Sequence, residues 1–399
     1  MENALLDIRP EQALHQPPWE DPAHVARVRE ELGARPALVR AADVDALRAV
    51  LARVAAGEAH VVQAGDCAED PAECTPGSVA RKVGLLNMLA GALQMKTHTP
   101  VVRAGRMAGQ FGKPRSQPTE RVGELELPVY RGHMVNSPEP DPELRRPDPD
   151  RILAGYGAAR DVMEYLGWTP TGRGRIGAPV WTSHEALLLD YEVPLLRRDE
   201  RGRLLLASTH WPWIGERTRQ IDGAHVGLLA EVANPVACKV GPRMTAAELL
   251  ELCARLDPRR EPGRLTLIAR MGAGAVAERL PGLVEAVRTA GHPVIWLTDP
   301  MHGNTVTTPD GYKTRFLQTV TREVEEFQLA VRAGGGTAGG LHLETTPEDV
   351  TECVTGRSRI DRVGTRYTSF CDPRLNPEQA LSVVSAWWLS GRTAAADAA

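Results

Sequence analysis

Short apolar runs rich in β-branched residues recur along the chain, and glycine, proline or polar residues bound each of them. Continuous apolar runs of this length are typical of strands buried on both faces, as in a parallel sheet. Helical periods separate most of the runs, at 79–95, 224–232, 245–256 and 275–291. The last four runs begin about 28 to 46 residues apart, the spacing of βα units. The eight runs start at His60, Pro100, Pro179, Leu204, Pro235, Leu265, Pro293 and Gly339.

Eight such units predict an α/β fold, a (β/α)8 TIM barrel over residues 58–390. Residues 1–57 predict an N-terminal extension with a helix over 41–56, and a long inserted segment separates strands 2 and 3. That segment includes the proline- and charge-rich stretch 137–151, and a loop of this length usually covers a site or forms an interface. We also expect a hairpin over 192–206, turning at 199–202, and a flexible tail over 391–399.

Polar side chains gather where the apolar runs end. A barrel of this kind places its chemistry at the C-terminal ends of its strands, so their position supports the predicted fold. These residues are Cys67, Arg103, Arg106, His184, Glu185, His210, Trp211, Lys239, Arg270, Asp299, His302 and Glu344.

Composition excludes several classes of protein. The net charge of −4 and a pI near 6.3 give no field that would hold a polyanion, so we expect no nucleic-acid partner. No apolar run approaches the roughly 20 residues of a membrane span. The N-terminus lacks a basic region followed by an apolar stretch, which predicts a cytoplasmic protein. The six cysteines contain no CxxC pair, which favours reduced thiols over a disulfide framework.

The densest basic cluster is the glycine-rich segment 105–116, which carries Arg106, Lys113, Arg115 and Ser116. Such a loop can wrap an anion with side chains and backbone N–H groups, but it lacks the GxxxxGK[ST] pattern of a nucleotide-binding loop. Three further cations, Arg217, Lys239 and Arg270, bring the total at the predicted barrel mouth to six. Six cations predict two phosphorylated substrates, or a phosphate together with a carboxylate.

A second constellation comprises Cys67, His302, Glu344 and Asp372, each in a short loop marked by glycine or proline. This mixed sulfur, nitrogen and oxygen set suits a divalent ion such as Mn²⁺, Co²⁺, Fe²⁺ or Zn²⁺. Spacing alone leaves alternatives open. Cys67 could be a buried apolar residue, and His210, His225 or His342 could replace His302.

Several long motifs together resemble the type II 3-deoxy-D-arabino-heptulosonate 7-phosphate (DAHP) synthases. The resemblance runs from about residue 15 to 390. The motifs that carry it are GDCAED, GRMAGQFGKPRS, WTSHEALLLDYE, STHWPWIGERTRQIDGAHVGLLAEVANPVACKVGP, LIARMGAG, DPMHGNT, GLHLETTPEDVTEC and CDPRLNP.

The resemblance implies a transferase that joins phosphoenolpyruvate to erythrose 4-phosphate with loss of phosphate, the first step of the shikimate pathway. It places the metal ligands at Cys67, His302, Glu344 and Asp372, with Mn²⁺ or Co²⁺ as the expected ion. Arg115 and Ser116 match the positions that hold the aldose phosphate. Glu216 and Glu185 are candidates for steering the water or its proton. Phosphoenolpyruvate contacts fall on Arg106, Lys113, Glu216, Arg217, Lys239 and Arg270.

Two departures from the family pattern stand out. The inserted segment after Arg115 looks shorter than in members regulated by aromatic amino acids, so we expect their feedback sites to be absent. The short form resembles the enzymes of phenazine and other secondary-metabolite clusters. His133, in YRGHMVNS, stands where the family pattern has aspartate, so it either perturbs the aldose pocket or lies at its rim.

The sequence also leaves open the partners of the protein and several alternative functions. We expect a homodimer or another homo-oligomer, and nothing in the sequence indicates a chorismate mutase partner. One alternative is an aldolase in which Lys239 forms a Schiff base. Another is a non-catalytic barrel that regulates a downstream enzyme, and a third is a cousin enzyme that uses an imino form of the tetrose.

Overall fold

The computed structural model describes residues 13–169 and 177–387. Its strands are β1 (His60–Gly65), β2 (Val101–Arg106), β3 (Thr119–Val122), β4 (Leu125–Pro128), β5 (Val180–Ser183), β6 (Leu196–Arg198), β7 (Leu204–Leu206), β8 (Trp213–Ile214), β9 (Val236–Val240), β10 (Leu265–Ala269), β11 (Ile295–Thr298), β12 (Val306–Thr307), β13 (Lys313–Thr314) and β14 (Ala338–Glu344).

Helices alternate with the strands over most of the described chain. They are α1 (Pro22–Gly33), α2 (Ala41–Ala55), α3 (Pro76–Thr97), α4 (Asp150–Tyr165), α5 (Leu189–Glu192), α6 (Ala224–Glu231), α7 (Ala246–Leu256), α8 (Ala275–Thr289), α9 (Leu317–Ala333) and α10 (Pro377–Ser385). Within the described ranges, none of these helices has the length and apolarity needed to cross a bilayer.

Eight parallel strands form the barrel, in the order β5-β2-β1-β14-β11-β10-β9-β8. Strands β1, β5, β9, β10 and β11 are buried at every position, because helices cover one side of the wall and packed side chains fill the other. The first and last strands of this order, β5 and β8, meet through a bridge between Glu185 and Trp213. The predicted (β/α)8 barrel is therefore confirmed.

The prediction of the fourth barrel strand is wrong. The run at Leu204 forms β7, which pairs antiparallel with β6 outside the barrel, and the fourth barrel strand is β8. The reason is the turn at Asp199, whose carboxylate accepts hydrogen bonds from the backbone of Arg201 and Arg203 and returns the chain on itself. The hairpin expected over 192–206 is thus confirmed. His210 and Trp211 consequently precede the fourth barrel strand, whereas Glu216 follows it.

The segments outside the barrel match the predicted organisation in part. Helix α2 confirms the helix expected over 41–56, whereas α1 was not predicted. The segment between β2 and β5 holds the β3–β4 hairpin, the 137–151 stretch and α4. The tail expected over 391–399 lies outside the described residues, and the limits of the predicted domains stay predictions.

Candidate active site

Three potential metal ligands converge at the C-terminal mouth of the barrel. Cys67, Glu344 and Asp372 each offer one ligand atom, and these atoms lie within 4.8 Å of one another. Glu344 ends β14 and Cys67 follows β1, the adjacent strand. Asp372 joins them because the chain returns beside β14, where the Leu375 N–H donates to the Glu344 carbonyl at 2.9 Å.

The fourth expected ligand, His302, faces the same cluster. Its Nε2 lies 3.1 Å from Glu344 Oε1, and its Nδ1 lies 2.7 Å from Asp299 Oδ2. Asp299 also accepts the backbone N–H of His302 at 3.2 Å and pairs with Lys239 Nζ at 2.6 Å. A carboxylate on one ring nitrogen fixes the imidazole and leaves the other nitrogen for a metal. Asp299 was predicted at a strand end but received no role from the sequence.

The ionisation of the cluster suits a cation. Burial would raise the pKa of Glu344, but His302 and Arg315 outweigh it and hold that pKa well below its ordinary value. Burial would also raise the pKa of Asp372, but Lys113, His302 and Arg315 together outweigh it and lower that pKa. Burial, Cys371 and Glu344 raise the pKa of the Cys67 thiol well above its ordinary value. Two ionised carboxylates beside a thiol that needs positive charge to lose its proton fit a divalent ion.

A cavity of about 520 Å³ opens beside this cluster. Its lining contains two of the predicted ligands, His302 and Asp372, so the cluster and the cavity form one site. The structure brings eight other sequence-predicted residues to the same wall. They are Lys113, Arg115, Ser116, Glu185, Glu216, Arg217, Lys239 and Arg270.

Two carboxylates project toward the cavity with atoms left unpaired. Glu185 Oε1 and Glu216 Oε2 are buried without a hydrogen-bond partner in the part of the chain that the structure describes. Glycines make the room for both side chains. A Cβ at Gly215 would lie 2.0 Å from Glu185 Oε1, and one at Gly241 would lie 2.6 Å from Glu216 Oε1. Both glutamates line the cavity, and each keeps one carboxylate oxygen that no described residue uses.

Arg106 is buried and does not line the cavity. Its guanidinium donates to Glu344 Oε1 at 3.0 Å and to the Asp66 carbonyl at 3.1 Å, and it contacts His342. Burial, Lys239 and Arg106 hold the pKa of His342 well below its ordinary value, so the imidazole is neutral and its Nε2 accepts from Arg106. Arg103, predicted beside it, instead points outward and donates to Asn87 of α3 at 2.9 Å.

A buried glutamate that the sequence analysis missed holds the glycine-rich loop. The Glu69 carboxylate accepts the backbone N–H groups of Ala108, Gly109 and Gln110 at 2.9, 2.9 and 2.7 Å. Ala108 has a φ of 64°, a conformation that L-residues rarely adopt, so the loop needs this support. Glu69 thereby positions the chain that leads to Lys113.

Three basic residues at the site also went unassigned. Arg243 and Lys313 line the cavity, and Arg315 is fully buried beside Glu344 Oε2 at 2.8 Å. Their signal in the sequence was weak because none directly follows a predicted strand. Lys313 is one of only five lysines, and that rarity was the one available clue.

His133 lies away from the cavity wall. Its Nδ1 lies 2.7 Å from the Tyr130 hydroxyl, its Nε2 lies 3.9 Å from Asp70, and its ring meets Phe370 edge to face. Burial lowers the pKa of His133, although Asp70 opposes this. It does not line the cavity described above, which favours a place near the rim.

The fold and the site define a (β/α)8 barrel with a cluster of potential metal ligands beside a cavity lined by several lysines and arginines. The model of the class-II DAHP synthetase family matches residues 4–176 and 161–386. The chain belongs to this family.

Individual relatives agree with the assignment. A probable phospho-2-dehydro-3-deoxyheptonate aldolase of Pseudomonas fluorescens is 58% identical over 389 residues, which cover 97% of both chains. A phospho-2-dehydro-3-deoxyheptonate aldolase of Streptomyces coelicolor is 40% identical and covers 93% of each. The solved structure of the Francisella tularensis enzyme of that name has a TM-score of 0.52, with 91% of this chain and 95% of that chain covered. At 13% identity, this similarity supports only the fold and not a shared function.

The contact between Asp299 and His302 generates a first prediction. Asp299→Asn keeps the size of the side chain but loses the charge that orients the imidazole and balances Lys239. We expect Mn²⁺ affinity to fall about 10- to 100-fold, measured by calorimetric titration. Asp361→Asn, at an exposed position, is the matched control. Equal affinities in the Asp299 variant and the wild type would contradict this role.

The support of the glycine-rich loop generates a second prediction. Glu69→Ala leaves three buried N–H groups without their acceptor, which we expect to lower the free energy of unfolding by about 3 kcal/mol. Urea unfolding measures this. Glu124→Ala, in the exposed turn between β3 and β4, should change it by less than about 0.5 kcal/mol. A Glu69 variant as stable as this control would show that the glycine-rich loop keeps its conformation without Glu69.

Proposed function

We propose that this protein is a DAHP synthase that condenses phosphoenolpyruvate with erythrose 4-phosphate and releases DAHP and phosphate. The observation that carries the proposal is a cavity of about 520 Å³ that adjoins the cluster of potential metal ligands and is lined by several lysines and arginines. The two substrates together carry two phosphates and one carboxylate, which matches that excess of positive charge. Family membership supports the same reaction.

The donor cluster would hold the metal through Cys67, His302, Glu344 and Asp372. A divalent ion bound there supplies Lewis acidity for the aldehyde of the second substrate. The mixed sulfur, nitrogen and oxygen donors favour Mn²⁺ or Co²⁺ under this proposal, with Fe²⁺ and Zn²⁺ as further candidates. Lys113, whose Nζ lies 2.9 Å from Cys67 Sγ, balances charge at the cluster and extends toward the substrates.

The cations of the cavity bind and align the substrates. Lys239 and Arg270 reach the phosphoenolpyruvate end beside His302, since Arg270 donates to the His302 carbonyl at 3.3 Å. Arg115 and Ser116 hold the aldose phosphate in the loop after β2. Fixing both reactants against these charges supplies several kcal/mol of the barrier.

Two glutamates of the cavity wall handle the water. C3 of phosphoenolpyruvate attacks the aldehyde carbon, water adds at C2, and cleavage of the C–O bond then releases phosphate. Glu216 and Glu185 line the cavity, and each keeps a carboxylate oxygen without a protein partner that can hold that water or accept its proton. Either residue fits this role on its geometry.

The assay that tests the proposal follows phosphate release from phosphoenolpyruvate with and without erythrose 4-phosphate. We expect release only when both substrates and a divalent ion are present. Release without the aldose, or none with it, would contradict the proposal. A role in secondary metabolism, freedom from aromatic feedback, a homo-oligomeric state and a cytoplasmic location stay predictions.

The metal requirement gives a third prediction. A strong chelator should abolish activity, and Mn²⁺ or Co²⁺ should restore it, because the four donors bind only as a set. Cys67→Ser should weaken metal binding far more than Cys253→Ser, whose side chain is buried in α7. Titration of each apo-variant measures the difference. Full activity in excess chelator would favour a Schiff base on Lys239 instead.

The two ends of the cavity give a fourth prediction. Arg270→Ala should raise KM for phosphoenolpyruvate and lower kcat, whereas Ser116→Ala should act mainly on erythrose 4-phosphate. A charge-assisted hydrogen bond is worth about 1.5 to 3 kcal/mol, or about ten- to a hundredfold in kcat/KM. Steady-state constants for both substrates separate the effects, and a crossed pattern would reverse the two assignments.

A further inference from the structure

A second cavity adjoins the first and continues it away from the metal-ligand cluster. Its volume is about 610 Å³, and it shares Ser116, Glu216, Arg217 and Arg243 with the first cavity. His302 and Asp372 line only the first. The four shared residues therefore mark the end of the active-site cavity that is remote from the ligand cluster.

The three lysines of the first cavity already have acidic partners. Lys239 Nζ lies 2.6 Å from Asp299, and Lys313 Nζ lies 2.8 Å from Asp372. Lys113 Nζ lies 3.8 Å from the Asp372 carboxylate. Each lysine therefore lies beside a carboxylate before any substrate arrives, although Lys113 and Lys313 share that of Asp372.

The arginines of the cavity differ in how far their side chains bond to other protein groups. Arg115 donates to the Tyr130 carbonyl at 2.6 Å and to Cys371 Sγ at 3.3 Å, so part of its guanidinium is used by the protein. In contrast, Arg217 and Arg243 form neither an ion pair nor a side-chain hydrogen bond with any described residue, and both are exposed. Both lie at the shared boundary, where their charge is available to a ligand.

The backbone of Arg243 is fixed although its side chain is free. Pro242 precedes it, and the Met244 N–H donates to the Gly241 carbonyl at 3.1 Å, which closes a turn directly after β9. Met244 is buried, and Thr245 caps α7 through a reciprocal pair of contacts with Glu248. A cation on so firmly held a turn binds an anion with little loss of backbone entropy.

We infer that Arg243 is a specificity-determining residue, which acts beside Ser116 to bind the phosphate of the aldose and to select phosphorylated over unphosphorylated aldoses. This inference rests on the proposed function. A phosphate at this boundary places the aldehyde end of a four-carbon chain toward the metal-ligand cluster. Arg217, at the same boundary, then lies between the two substrates.

The test compares two aldoses, erythrose 4-phosphate and erythrose, in steady-state assays of the metal-loaded enzyme. For Arg243→Gln we expect kcat/KM for erythrose 4-phosphate to fall about ten- to a hundredfold, mainly through KM. The KM for phosphoenolpyruvate and kcat/KM for erythrose should stay within about twofold of wild type. Arg243→Lys should recover part of the loss, because it restores the charge without the planar fork.

The control is Arg255→Gln, an exposed arginine of α7 that lines neither of the two cavities and should leave all constants unchanged. An equal loss with both aldoses, or a raised KM for phosphoenolpyruvate in the Arg243→Gln variant, would overturn the inference while the proposed function stands. A wild-type enzyme that does not condense the two phosphorylated substrates would overturn the proposed function and the inference with it.

Discussion

The carboxylate of Glu344 holds the whole site together. It is fully buried at the end of β14 and contacts Arg106 at 3.0 Å, Arg315 at 2.8 Å and His302 at 3.1 Å. These partners come from β2, from the turn before α9 and from the loop after β11. Removal of one member of a buried charge network leaves the others uncompensated, which costs several kcal/mol. The position of each loop at the barrel mouth therefore depends on this one group.

Charge is distributed unevenly around that group, and the unevenness has chemical consequences. Near the cluster, basic and acidic side chains alternate and neutralise one another, as in the pair of Lys239 and Asp299. Farther away, Arg217 and Arg243 have no acidic partner among the described residues. The inner part of the cavity therefore suits a metal ion and the reacting atoms. The outer part suits a phosphate that needs only to be held.

Much of the fold could be predicted from the local sequence pattern, because seven of the eight barrel strands are apolar runs flanked by glycine or proline. The fourth strand could not be predicted, because two residues, Trp213 and Ile214, are too few to show a periodic pattern. The apolar run of the neighbouring hairpin gave a stronger signal and was predicted to be the barrel strand. Within the site, residues that follow strands were found, Asp372 was found in a short loop marked by proline, and motif resemblance added Glu216. Asp299 and Glu69 received no role because they act through other residues. Asp299 pairs with Lys239 of a distant strand and Glu69 holds a distant loop, and such contacts leave no mark in the local sequence.

The central claim is that Cys67, His302, Glu344 and Asp372 bind one divalent ion beside the anion-binding cavity. Anomalous diffraction at the manganese absorption edge, from crystals grown with Mn²⁺, tests it most directly. We expect a single strong peak within about 2.5 Å of Cys67 Sγ, His302 Nε2 and the two carboxylates. A manganese peak bound elsewhere, with these four side chains uninvolved, would contradict it.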